Sequence, residues 1–146
     1  MAHPRLLASV ERLARALRRV DRRVADAHGT SLSQQALLSL LADPERGPEP
    51  MNALAKRMGI ALSTLTRNLD VMESRGWITR DRVADDRRVL TVTLTPEGKA
   101  LAEKLARSRE AFFRRAFGAF HRSDGLERGV ALAHVATAIE SAQEDA

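Results

Sequence analysis

The sequence predicts a mainly α chain with one small β-hairpin, and three observations point there. Leu62, Leu65, Leu69 and Met72 recur at spacings of 3, 4 and 3, the period of one helical face. From Val89 to Leu94 the period becomes two: Leu90, Val92 and Leu94 alternate with Thr91 and Thr93, as on a half-buried strand. Aromatics are scarce, at 3% with no Tyr, so the core must be Leu, Val, Ala and Met, which suits packed helices.

The first element runs from Pro4 to His28 as one amphipathic helix ended by Gly29. Leu6, Val10, Leu13, Leu17, Val20 and Val24 form a heptad-like seam of the kind that packs on another helix, with Arg12, Arg15, Arg18, Arg19, Arg22 and Arg23 around it. Dimerisation is the favoured reading; packing within one subunit is the alternative. Ser33 is the expected N-cap of a helix over Gln34–Ala42, with Ala36, Leu37, Leu40 and Leu41 apolar. Asp43 to Pro50 holds three prolines and a glycine and reads as a loop.

A short helix follows, with Asn52 as N-cap candidate and Ala53, Leu54 and Met58 apolar. Gly59 permits a sharp turn, and the helix of the 62–72 stripe comes next, closed by Gly76 as a C′ glycine. Its opposite face carries Ser63, Thr64, Thr66, Arg67 and Asn68, which no core needs and which can hydrogen-bond phosphates or base edges. Trp77–Val83 and Val89–Leu94 read as paired strands, with Ala84–Arg88 as a polar hairpin tip.

Thr95 caps the next helix, Pro96 sits at its first position and Glu97 suits the dipole; Gly98 is awkward but tolerated in a first turn. Leu101, Leu105, Phe112, Phe113, Ala116, Phe117 and Phe120 continue it, and all four phenylalanines fall within nine residues. They could line a ligand pocket; core and interface packing is the favoured reading. Ser123 or Asp124 caps a last helix, Asp124 and Glu127 having capping-box spacing, with Val130, Leu132, Ala133, Val135, Ala136 and Ile139 apolar.

A helix-turn-helix followed by a hairpin tipped with two arginines is a winged-helix arrangement. The second helix can occupy a DNA major groove while the hairpin reaches the backbone or the neighbouring minor groove. The net charge of +5 is unevenly spread: +4 in residues 1–30, −2 in 31–50, +3 in 51–99 and zero beyond. Positive potential in the winged module and first helix suits a polyanion, held by salt-sensitive phosphate contacts. Arg outnumbers Lys 21 to 3, which favours bidentate phosphate and guanine contacts, though base composition of a genome produces the same bias.

STLTR at 63–67, RGWITR at 75–80, DRR at 86–88 and LTPEG at 94–98 together resemble the MarR family, multiple antibiotic resistance regulators, over about residues 30–100. The resemblance implies a homodimeric winged-helix transcription factor, usually a repressor, that binds a double-stranded, pseudo-palindromic DNA operator and is often released by a small ligand or by oxidation. It implies a single domain over 1–146, with residues 31–99 the winged helix-turn-helix and 1–30 and 100–146 the dimerisation helices. Ser63, Thr64, Thr66, Arg67 and Asn68 then face the groove and phosphates. By the family's D-x-R pattern, Asp86 and Arg88 are the wing pair: Arg88 reads the minor groove, Asp86 orients the wing, and Arg87 serves beside them. Arg75, Arg80 and Arg82 are phosphate contacts or structural ion pairs; the sequence does not separate these. Ala61 departs from the family's usual polar N-cap.

With no Cys, structural disulfides, thiolate zinc sites and thiol sensing are excluded, so any release signal is non-thiol. The resemblance suggests a small anionic, often aromatic effector, with residues unassigned. No apolar run is long enough to span a bilayer and the N-terminus is too charged for a signal peptide, so a cytoplasmic protein is expected. No cofactor or metal is expected. His3, His28, His121 and His134 lack metal-ligand spacing, and His134 reads as a core histidine. Asp85 and Asp86 sit beside two arginines, where salt bridging outweighs acid–base use, and no phosphate-binding glycine loop is present. Two rivals remain: a winged helix used only for protein–protein assembly, and a small ligand-binding or metal-dependent enzyme.

Overall fold

The computed structural model describes residues 4–46, 49–83, 86–118 and 129–137; of Pro4, Glu49, Phe117, 82–83 and 86–90 it describes the backbone alone. The order is α1 (Pro4–Ala27), α2 (Leu32–Leu41), β1 (Glu49–Pro50), α3 (Met51–Met58), α4 (Leu62–Ser74), β2 (Ile78–Val83), β3 (Asp86–Leu94), α5 (Pro96–Phe117) and a further helix, α6, over 129–137. The chain forms two compact units, Met1–Arg109 and Glu110–Ala146.

The first unit is built on one core. Leu37, Leu38, Leu54, Leu65, Leu69, Met72 and Ile78 are fully buried, with Val20, Val24, Val92 and Leu105 packed among them. Burying each such side chain contributes about 2 kcal/mol of transfer free energy. The sheet is antiparallel in the order β1-β3-β2, with Arg80 opposite Val92 and Ile78 opposite Leu94. In the second unit, the end of α5 holds an edge-to-face pair, Phe112 and Phe113, with centroids 6.0 Å apart. Phe112 is exposed there, as are Val130 and Leu132 on α6. No helix of the described residues is long and apolar enough to cross a membrane.

The structure corrects several expectations. The N-cap of α2 is Ser31, not Ser33: Ser31 Oγ accepts from Gln34 N, and the Gln34 side chain accepts from Ser31 N. Only Ser31 has a Gln three residues on; Ser33 has Ala36 there. Leu38 is fully buried in α2 while Ala36 is exposed. Asn52 does not cap α3. Pro50 does so by backbone alone, because β1 is already extended and pairs Pro50 with Val89. The 43–50 segment therefore contributes an edge strand as well as a loop. Ala55, not Ala53, is the buried alanine of α3.

Leu62 is 48% exposed, so the α4 stripe begins at Leu65. The α1 seam is buried only at Val20 and Val24, and Leu6 is 53% exposed. β3 begins at Asp86, so Asp86–Arg88 lie on a strand rather than at a loop tip. The cause is an irregularity in register, where Arg82 faces Leu90 but Val83 faces Asp86. His134 is exposed rather than buried. Ala84, Asp85, Phe120, Ser123, Asp124, Glu127 and Ile139 lie outside the described residues.

Gly98 has a tertiary cause. A Cβ there would meet the Trp77 carbonyl oxygen at 1.9 Å, so the first turn of α5 lies directly against the α4–β2 turn. Thr95 caps as expected: its Oγ1 accepts from Gly98 N at 3.0 Å and donates to Gly76 O at 2.6 Å.

Candidate nucleic-acid interface

The turn into α4 is set by backbone. Gly59 ends α3 in the left-handed region at φ 64°, with Gly59 N donating to Lys56 O and Ile60 N to Ala55 O. Ala61 then takes the N-cap position with no side-chain bond, leaving the first-turn amides of α4 without a side-chain acceptor. Leu65, Leu69 and Met72 are each 0% exposed and fix the helix's rotation about its axis. That rotation turns Ser63, Thr64, Thr66 and Arg67 to the surface and leaves Asn68 half-buried.

The polar groups on this face are partly oriented already. Thr66 Oγ1 donates to Leu62 O at 3.0 Å, and Asn68 Nδ2 donates to Thr64 O at 2.9 Å. Both spend a donor on the helix itself and keep acceptor capacity on the outside. Arg67 makes no hydrogen bond or ion pair among the described residues, so its donors face outward. The face thus presents a guanidinium, hydroxyls and an amide, the inventory that reads base edges and phosphates. Lys56 and Arg57, exposed in the last turn of α3, add basic groups just before the turn. In the sequence alone such a basic pair at a helix C-terminus is ordinary dipole pairing and carries no signal of a site.

The two described arginines left ambiguous by the sequence both engage protein groups. Arg80 on β2 reaches across to α4: its Nε donates to Glu73 Oε2 at 3.0 Å, its Nη2 pairs with the same oxygen, and its Nη1 lies 2.8 Å from Asp70 Oδ1. The hydrogen bond to Glu73 is the main reason its pKa is raised above the ordinary guanidinium value, with Asp70 adding to it against partial burial. Arg75, the C-cap of α4, donates from Nη1 to Gly29 O at 2.7 Å, and its guanidinium carbon lies 4.9 Å from the Trp77 ring centroid. The side chains of Arg82, Asp86, Arg87 and Arg88 lie outside the described residues. Their backbone runs along β2 and the start of β3, immediately behind α4 in the chain.

The hairpin stem is well tied. Thr79 and Thr93 face each other across the strands with their hydroxyls 2.8 Å apart. Arg46 Nη1 donates to Val92 O at 3.3 Å and holds the 43–46 loop on β3. Beside it lies a cavity of 570 Å³ lined by Leu41, Val92, Leu94 and Ala102, with Asp43, Arg46, Lys99 and Glu103 supplying mixed charge. Among the described residues, no group of three or more His, Asp or Glu could hold a metal.

Comparison with known proteins bears on this arrangement. The model of the MarR family matches residues 31–90. The HTH-type transcriptional repressor YetL of Bacillus subtilis is 33% identical over 76 residues, 52% of this chain and 46% of YetL. The chain spans about half the length of the curated relatives it matches. A MarR family protein from Bacillus stearothermophilus superposes with a TM-score of 0.79 at 22% identity, over 96% of this chain and 99% of that one. NadR, solved with 4-hydroxyphenylacetate, superposes with a TM-score of 0.71 at 24% identity, over 93% and 95% of the two chains. These two likenesses concern the fold.

Proposed function

We propose that this chain, whose residues 31–90 match the model of the MarR family, is a sequence-specific, double-stranded-DNA-binding transcriptional regulator and not an enzyme. It acts in the cytoplasm as a homodimeric repressor released by a small ligand. The observation that carries this reading is the two-sidedness of α4: three fully buried side chains hold the helix while Ser63, Thr64, Thr66 and Arg67 face outward. A helix so clamped presents polar groups at fixed positions, which base readout requires.

Dimerisation is supported by apolar side chains that find no cover in their own unit, Leu6 and Leu7 on α1 and Val130 and Leu132 on α6. Two recognition helices about 34–36 Å apart then enter successive major grooves of a pseudo-palindrome. Asp86, Arg87 and Arg88 serve the wing, with Arg88 in the minor groove, and Arg82 is kept as a phosphate contact. The repressor sense rests on the name of YetL, and the ligand class on NadR, whose structure holds an aromatic acid. The cavity beside β3 is of ligand size, its volume falling within the ordinary range of small-molecule sites.

The test is selection of bound fragments from a random duplex pool, followed by titration of the winning sequence against salt. We expect a pseudo-palindromic consensus and affinity that falls steeply with salt. Arg88→Ala should weaken binding to every sequence and make the log–log salt slope shallower by about 1 per subunit. Absence of salt-dependent duplex binding would overturn the reading and favour the protein-assembly rival.

A further inference from the structure

The sequence reads Arg75 as a phosphate contact or an ion-pair partner; within the chain it engages main chain and an aromatic ring rather than a carboxylate. Its Nη1 donates to a backbone carbonyl, Gly29 O, 46 residues away, and its guanidinium stands over Trp77. Gly29 belongs to the α1–α2 turn, with φ 65°, and that turn is itself held from several sides. Gly29 N donates to Asp26 O, Thr30 N to Ala25 O, and Thr30 Oγ1 to the same carbonyl. The neighbouring His28 meets α5, its Nε2 lying 2.8 Å from Ser108 Oγ. Two turns earlier, on α1, Asp21 pairs with Arg109 of α5 at 3.0 Å. The C-terminal end of α4 is therefore tied through one side chain to a turn that is tied to α5.

We propose that Arg75 is a positioning residue that sets the tilt of α4 relative to the α1–α2 turn, and that the His28–Ser108 contact carries the setting of α5 to α4 through it. The inference rests on the reading of α4 as the DNA-contacting helix. Its geometry has a specific chemical requirement. A guanidinium can donate along its plane to Gly29 O while its face lies on Trp77; a lysine ammonium offers neither the plane nor the fork. Gly76 follows at φ 71° and reverses the chain directly after Arg75, with Gly76 N donating to Glu73 O and Trp77 N to Met72 O. Tilt matters because base-edge bonds demand placement within about 0.5 Å, whereas phosphate attraction tolerates far more.

The test uses the full chain, its selected duplex and a scrambled duplex of equal length. Arg75→Ala is expected to lower the ratio of specific to non-specific affinity about fivefold, with the salt slope of wild type retained. Arg75→Lys keeps the charge and should behave like Arg75→Ala. The emission of Trp77, the single tryptophan of the chain, should shift in both variants while far-UV circular dichroism stays that of the wild type. Ser108→Ala should lower the same ratio and be non-additive with Arg75→Ala in a double-mutant cycle.

A salt slope shallower by about 1 per subunit in Arg75→Ala, recovered in Arg75→Lys, would make Arg75 a phosphate contact and overturn the inference alone. So would an unchanged specificity ratio, or strict additivity with Ser108→Ala. Wild-type protein that binds neither duplex overturns the DNA reading, and the inference falls with it.

Discussion

α1 and α4 are both amphipathic, yet they dispose of their apolar faces in opposite ways. On α4, Leu65, Leu69 and Met72 are wholly buried within their own unit. On α1, burial is complete only near the C-terminal end, at Val20, Val24 and Ala25, while Leu6 and Leu7 are more than half exposed. A helix whose apolar side is satisfied at home is free to spend its other side on recognition. A helix whose apolar side is left open is where the proposed dimer would seat a second chain.

The contrast is broken most severely at the buried end. Leu69→Ala should lower unfolding stability by about 3 kcal/mol in urea titration, and the loss should be the same at every protein concentration. Gly98→Ala comes next. The added methyl meets the Trp77 carbonyl, and relief by backbone movement should cost about 2 kcal/mol, read as a lower thermal midpoint.

At the open end, Leu6→Ser with Leu7→Ser should weaken self-association about tenfold or more in sedimentation equilibrium, with a stability change that shrinks as the protein is diluted. Loss of stability independent of concentration would instead put this part of α1 in the subunit core. Arg67→Ala should weaken binding to the selected duplex by about 1–3 kcal/mol if it reads a base edge. The smallest effect is expected at Arg80→Ala, which removes the tie from β2 to Asp70 and Glu73. Those partners are largely exposed, so the cost should be about 1 kcal/mol or less and should shrink in high salt.

Legibility in the sequence followed the same divide. Where a residue's role is settled by its own element, the sequence was sufficient. The period of α4 from Leu65 onward, the glycines at 59 and 76 and the Thr-Pro-Glu opening of α5 all read correctly, since each is a local property. Where a distant partner decides, it was not. β1 is two residues long and contains Pro50, so it has no period and resists assignment as a strand; only its pairing with Val89 and Leu90 makes it one. Gly98 reads in the sequence as a tolerated flaw, and only the Trp77 carbonyl packed against it explains the residue. The N-cap of α2 is an exception, since Ser31 and Ser33 compete on residue type and a local bond, the reciprocal one from Gln34, decides between them.

The candidate interface divides likewise. The outward face of α4 follows from its inward stripe, but the partners of Arg75 and Arg80 come from other elements: Gly29, 46 residues away, for Arg75, and Asp70 and Glu73 of α4 for Arg80. A sequence supplies their charge and not what they hold.

The close seating of Gly98 on Trp77 has a mechanical corollary. Thr95 N donates to that same Trp77 carbonyl at 3.0 Å, so the root of the hairpin and the first turn of α5 meet main chain to main chain, with no flexible padding between them. A displacement of that first turn would reach the ribbon through main chain rather than through side chains. Adding one residue between Leu94 and Pro96 would turn every later side chain of that helix by about 100°, scrambling its contacts while leaving its composition untouched.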